Sequence, residues 1–189
     1  MKAKTYKMKN DRSLNWCLVL YPNEDPTHKK ALDYIIQHFS YAYIFHDKDI
    51  LDDGSLKKEH CHVVIKFTNY RWRNAIAEEL KIAPNYLEKT RNLENSLKYL
   101  IHFNDENKAQ YDISEVHGDL KTKLSQYLNN TDKSESEKVL DLLDYLNINP
   151  NYISLNDFIT YVCSVGLYDV YRRSAVTFIK LIDEHNKYV

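Results

Sequence analysis

Only three of the 189 residues are cysteine, Cys17, Cys61 and Cys163, and they lie far apart with no Cys-x-x-Cys pair. Neither a disulfide framework nor a thiolate zinc site is expected, and a reducing compartment fits. Glycine is equally scarce, with three residues, and no glycine-rich nucleotide-binding loop is found. No apolar run approaches transmembrane length, and the lysine-rich stretch Met1 to Asn10 is not followed by a signal-length apolar segment. A soluble, cytoplasmic protein with no membrane partner is expected. An excess of one charge is lacking too. Through Ser125 there are 20 basic against 18 acidic residues, and the remainder has 6 against 9. A nucleic-acid contact surface, if there is one, must therefore be local. Tyrosine, by contrast, is abundant, and its rings either pack against cores with a wet hydroxyl or stack on bases.

Leu14 to Tyr21 reads as a first strand and Pro22 to Pro26 as its exit turn. Asp25 before Pro26 is a sound helix start, and Ala31, Leu32, Ile35, Ile36 and Phe39 keep helical spacing, giving a helix from about Thr27 to Phe39. A strand from Tyr41 into His46 follows, then a polar loop, a His60 to Phe67 strand, a helix from about Trp72 to Leu80 and a short strand within Tyr86 to Thr90. Asn92 to Phe103 reads as a helix with Leu93, Leu97, Leu100 and Ile101 as its apolar stripe. The polar stretch from Gly118 to Lys138 reads as a linker, which divides the chain into residues 1–125 and 126–189. Beyond it, helices are expected over Val139 to Leu146, Ser154 to Val165 and about Tyr168 to Asn186. Being few and short, they are expected to dock or to oligomerise.

Chemistry concentrates in Glu59-His60-Cys61-His62-Val63-Val64-Ile65. Side chains two apart on a strand share a face, so His60 and His62 present two imidazoles to one cation. If the upstream strand is a neighbour, His46 and Asp49 join them as a site of three histidines and one carboxylate. The aspartates from Asp47 onward do not keep EF-hand spacing, and imidazole-rich ligation suits Mn²⁺ or Zn²⁺ better than Ca²⁺. A second signal is Leu97-Lys98-Tyr99-Leu100-Ile101-His102, where Tyr99 and His102 share a helix face. Taken alone, Tyr99 reads as packing and His102 as a complement to the helix dipole.

Together, His60-Cys61-His62, His46-Asp47-Lys48-Asp49 and Tyr99-Leu100-Ile101-His102 resemble the HUH endonucleases, in particular the rolling-circle plasmid replication initiators. The resemblance covers about Leu14 to Gly118. It implies an α+β fold, an antiparallel ferredoxin-like sheet flanked by helices, followed by a small all-helical domain that oligomerises. It implies that His46, Asp49, His60 and His62 hold Mn²⁺ or Mg²⁺ and that Tyr99 is a nucleophile forming a 5′-phosphotyrosyl adduct. The implied partners are the plasmid origin, single-stranded at the nick, further copies of the chain and host replication proteins. Many HUH enzymes place a lysine one turn after the tyrosine. Here His102 stands there, a candidate for proton transfer, and that lysine's role has no counterpart. Candidate DNA contacts are Arg71, Trp72, Arg73, Lys89, Arg91 and Lys98. Relaxases and HUH transposases are alternatives within the class, and the chain is shorter than a typical relaxase. Outside it stand a non-catalytic nucleic-acid-binding module and a zinc-stabilised interaction protein in which Tyr99 is structural.

Overall fold

In the computed structural model, residues 11–51, 53–103 and 105–189 are described. Strand β1 (Arg12–Leu20) buries Trp16, Leu18 and Leu20, every second residue, as a strand with one core face should. Helix α1 (Pro26–His38) starts as its sequence dictates, with the Asp25 carboxylate accepting the Thr27 N–H at 2.7 Å and proline in the first turn. It leads into β2 (Ser40–His46), β3 (His60–Trp72), α2 (Arg73–Leu80), β4 (Leu87–Thr90) and α3 (Leu93–Leu100). The four strands form one antiparallel sheet in the order β2-β3-β1-β4. Because β3 is central, Cys61 and Val63 to Ile65 are buried on both of its faces. Cys61, Val63 and Ile65 join Trp16, Leu18 and Leu20 in a core covered by Ile35 of α1 and Ile76 and Leu80 of α2. Alternation turns His60, His62 and Val64 to the other face. There α3 packs against β2 and β3 through Leu97 and Leu100, both buried.

Gly118 secures the outer edge of β2. His117 exchanges backbone hydrogen bonds with Tyr43, and the Leu120 N–H reaches the Tyr41 carbonyl. With φ +110°, Gly118 sits in a conformation that L side chains rarely adopt, and a Cβ there would collide with the Tyr41 backbone oxygen.

The chain divides into two compact units between Leu124 and Ser125. The stretch read as a linker is in large part helix: α4 spans Lys121–Asn129, leaving residues 130–134 as the connection to the next helix. Its polar composition hid it, because Leu124 is its only buried residue. Helix α5 (Glu135–Ile148) begins earlier than its apolar spacing suggests, since Ser134 and Glu137 form a capping box. After α6 (Leu155–Ser164), the expected long last helix is two: α7 (Tyr168–Arg173) and α8 (Ala175–His185), broken at Ser174. The second unit has a core of its own around Leu142, Phe158, Val162, Tyr171, Phe178 and Ile182. Among the described residues, no helix is long and apolar enough to cross a membrane.

Candidate metal centre

Antiparallel register sets His46, the last residue of β2, opposite His60, the first of β3, and Ile44 opposite His62. The three imidazoles thus meet on one face at the end of two neighbouring strands, with ring centroids 4.5 Å apart for His46 and His62 and 4.9 Å for His60 and His62. Their ligand atoms lie close enough together to hold one ion. Asp49 enters from the turn after β2, where the Lys57 N–H bonds the Asp49 carbonyl. One carboxylate oxygen of Asp49 lies 3.5 Å from His46 Nδ1 and 3.8 Å from His60 Nε2. The four residues picked out in the sequence therefore sit side by side.

Proton positions in the cluster follow from backbone carbonyls, which only accept. His46 Nε2 lies 2.8 Å from the Leu100 carbonyl and His60 Nδ1 2.9 Å from that of Lys58, so each of these nitrogens carries the proton and the other ring nitrogen is bare. Burial pushes His46 down to about 4, and it lowers His60 and, much further, His62, so at neutral pH these rings are uncharged. His46 Nδ1 is buried with no hydrogen-bond partner and faces a carboxylate oxygen. Two lone-pair acceptors that close repel each other unless a cation lies between them. Three neutral imidazoles and one carboxylate suit a divalent ion, and the orphaned His46 Nδ1 marks where it would bind.

Three residues shape the surroundings in ways the sequence did not announce. The α3 helix stops at Leu100, before the expected end at Phe103, and His102 adopts φ +52°. That conformation is uncommon outside glycine and turns the ring inward, where it is fully buried. There His102 Nδ1 donates to the Ala109 carbonyl at 2.7 Å, and His46, Asp49 and His102 form a second grouping of potential ligands. A dipole-complementing residue at an exposed helix end does not describe it. Tyr111 stacks on His46 at 4.3 Å, donates to Asp49 at 3.3 Å and accepts the Lys48 N–H at 2.9 Å. Burial pushes its phenol up to about 12. Lys108 lies at the opposite side, with Nζ 3.2 Å from Tyr99 Oη and 4.5 Å from the centre of that ring.

Tyr99 itself is 44 % exposed and stands edge-on to His62 and His102, with centroids 5.4 and 5.3 Å away. It lines one end of an open groove of about 790 Å³ that includes Lys57, His62, Ser96, Lys89 and Thr90. Of the cations named as DNA contacts, Arg71 is paired with Glu79, Arg73 with Asp11 and Lys98 with Glu94. Lys89 lies in the groove, and Arg91 is exposed.

Residues 8–124 match the family described as plasmid replication protein, origin binding domain. The chain belongs to that family, and it is a plasmid replication initiator. Among curated relatives, it is 29 % identical to "Replication protein RepB" of Lactiplantibacillus plantarum over 181 residues, 89 % of this chain and 78 % of that one. It is 30 % identical to "Replication protein" of Staphylococcus aureus over 114 residues, 57 % of this chain and 54 % of the relative.

Proposed function

We propose that this initiator starts rolling-circle replication by nicking one strand of the plasmid origin, with Tyr99 as nucleophile, and later rejoins the strand. The observation that carries this reading is the placing of one exposed tyrosine, its hydroxyl held by Lys108, against a buried cluster of histidines and a carboxylate with an unpartnered imidazole nitrogen. His46, Asp49, His60 and His62 would hold Mn²⁺ or Mg²⁺. When bound, such an ion supplies Lewis-acid stabilisation of charge on the scissile phosphate.

A phenol is a poor nucleophile at neutral pH, so charge building on its oxygen must be stabilised. The Lys108 ammonium is placed to do this at Tyr99 Oη. Tyr99 Oη forms a bond to phosphorus, the bond from phosphorus to the upstream O3′ breaks, and that oxygen leaves as a 3′-OH after taking up a proton. The phenol proton passes to solvent in the open groove, for which His102 is too deeply buried, so its part is to wall the cluster beside Asp49. The phosphotyrosyl bond stores the energy for a later 3′-OH to reverse the transfer without ATP. Residues up to about 125 act on the origin. The helical unit carries exposed Leu140, Ile148 and Val176, which suit assembly with further copies, while host replication proteins extend the freed 3′-OH.

A second reading is origin recognition without cutting, favoured by the family's description, which speaks of binding alone. Supercoiled plasmid carrying this gene and its native flanks separates the two. With Mn²⁺, the wild type should yield open circles and a covalent protein–DNA adduct on denaturing gels, and Tyr99→Phe neither. Binding of that DNA with no nick from the wild type would support recognition alone, and equal nicking by Tyr99→Phe would remove Tyr99 from the chemistry.

A further inference from the structure

The far end of β3 has a different character from its histidine end. Pairing with β2 stops at Ser40 opposite Lys66, so from Phe67 onward β3 has only β1 beside it. Ser13 opposite Arg71 and Arg12 opposite Trp72 close a two-stranded ribbon beyond a register shift. With no core to cover, Tyr70 and Trp72 are 63 % and 47 % exposed. Residues two apart on a strand share a side, and the Arg12 guanidinium lies 5.5 Å from the Tyr70 ring centre and 6.0 Å from that of Trp72. Arg71, between them, is drawn to Glu79.

Beside these rings is a hollow of about 320 Å³ lined by Arg12, Asn15, Tyr70, Lys89, Thr90 and Arg91 among others, with three cations and no carboxylate. Lys89 and Thr90 also line the groove that begins at His62 and Tyr99. The groove and the hollow therefore adjoin the same edge of β4. Charge selects a polyanion, and two exposed rings beside cations select one with flat aromatic faces.

We infer that Arg12, Tyr70, Trp72, Lys89 and Arg91 form a guiding surface for single-stranded DNA, on which bases several nucleotides from the cut stack against Tyr70 and Trp72 while Arg12 and Arg91 meet phosphates. The inference rests on the reading that the chain acts on a strand at Tyr99. The eight residue steps from His62 to Tyr70 span on the order of 25 Å, which is several nucleotides of a single strand. In a duplex, bases are stacked on one another and withhold their faces, so a single strand is the occupant.

Intrinsic fluorescence of the full chain reads this surface directly, because Trp16 is fully buried and Trp72 is exposed. In chelator, oligothymidylates of about 8 and about 20 nucleotides should quench the emission, and a duplex of equal length should not. Trp72→Phe should abolish the quenching while labelled oligothymidylate still binds. The double variant Tyr70→Ala/Trp72→Ala should lose at least about 25-fold in affinity, about 5-fold for each ring, with an unchanged Tm. No quenching, quenching by duplex alone, or wild-type affinity in the double variant would overturn the surface. The plasmid assay keeps the two readings apart. Nicking by the wild type with unimpaired single-strand binding by the double variant sinks the surface and leaves the nickase standing. Quenching through Trp72 without nicking does the reverse.

Discussion

Tyr99 and Tyr111 flank the same histidines in opposite ways. Tyr111 is stacked flat on His46, its hydroxyl donates to Asp49 and accepts the Lys48 N–H, and burial pushes its phenol up to about 12. Tyr99 stands edge-on at the mouth of the groove with its hydroxyl turned to a lysine. Chemical identity is the same and environment is not. A phenol locked as a donor orients a carboxylate, whereas one exposed beside an ammonium is available to a phosphate.

The largest effect that would break this comparison is on nicking itself. Tyr99→Phe should lower the nicking rate by at least about 10⁴-fold with no change in Tm, as removal of a nucleophile does. If Tyr111→Phe were the variant that abolished the adduct, the assignment of the two sides would be reversed. Lys108→Met comes next, at about 10²-fold in the rate of adduct formation, the size expected for one charged donor at a developing oxyanion. Lys108→Arg should recover part of that loss. DNA affinity should hold in both Lys108 variants, and a loss confined to affinity would make Lys108 an ordinary phosphate contact.

The two sides also differ in how legible they were. His60 and His62 could be read because a strand's period of two puts their side chains on one face, and His46 because its strand is their paired neighbour, with Asp49 following three residues later in the turn. Lys108 and Tyr111 come from the irregular segment after α3, where no periodicity converts sequence spacing into position. His102 misled for a related reason. Helical spacing places it beside Tyr99 on an exposed end, but the helix has already ended, and a left-handed residue swings the ring inside. At the junction of the two units α4 was hidden by its polar surface, and in the second unit the break at Ser174 carries neither glycine nor proline to announce it.

Neutrality of the cluster gives a pH dependence with a definite sign. An unfolded histidine takes up its proton near pH 6.5, while folding holds His46 bare down to about 4. Between those values the unfolded chain binds more protons than the folded one, so stability must fall as pH falls. The slope is about 1.4 kcal/mol per pH unit for each such imidazole, about 2 kcal/mol for His46 between pH 6.5 and pH 5. In chelator, Tm should decline steadily from pH 7 to pH 5, and less steeply in His46→Asn. Equal slopes in the two proteins would mean that His46 takes up its proton as readily in the folded chain as in the unfolded one, and the case for a cation beside its Nδ1 would go with it.

The smallest effect tests what the buried tyrosine is for. Tyr111→Phe keeps the ring on His46 and removes only the hydroxyl that holds Asp49 and caps the Lys48 N–H. Loss of a hydrogen bond that orients a ligand typically weakens metal binding by about 10-fold, so Mn²⁺ titrated into the variant should bind about that much more weakly. Nicking should then return to near the wild-type rate at saturating Mn²⁺, because the nucleophile and its lysine are untouched. A rate that stays low at saturation would give Tyr111 a part in the reaction beyond holding Asp49, and the two tyrosines would no longer divide the work between orientation and attack.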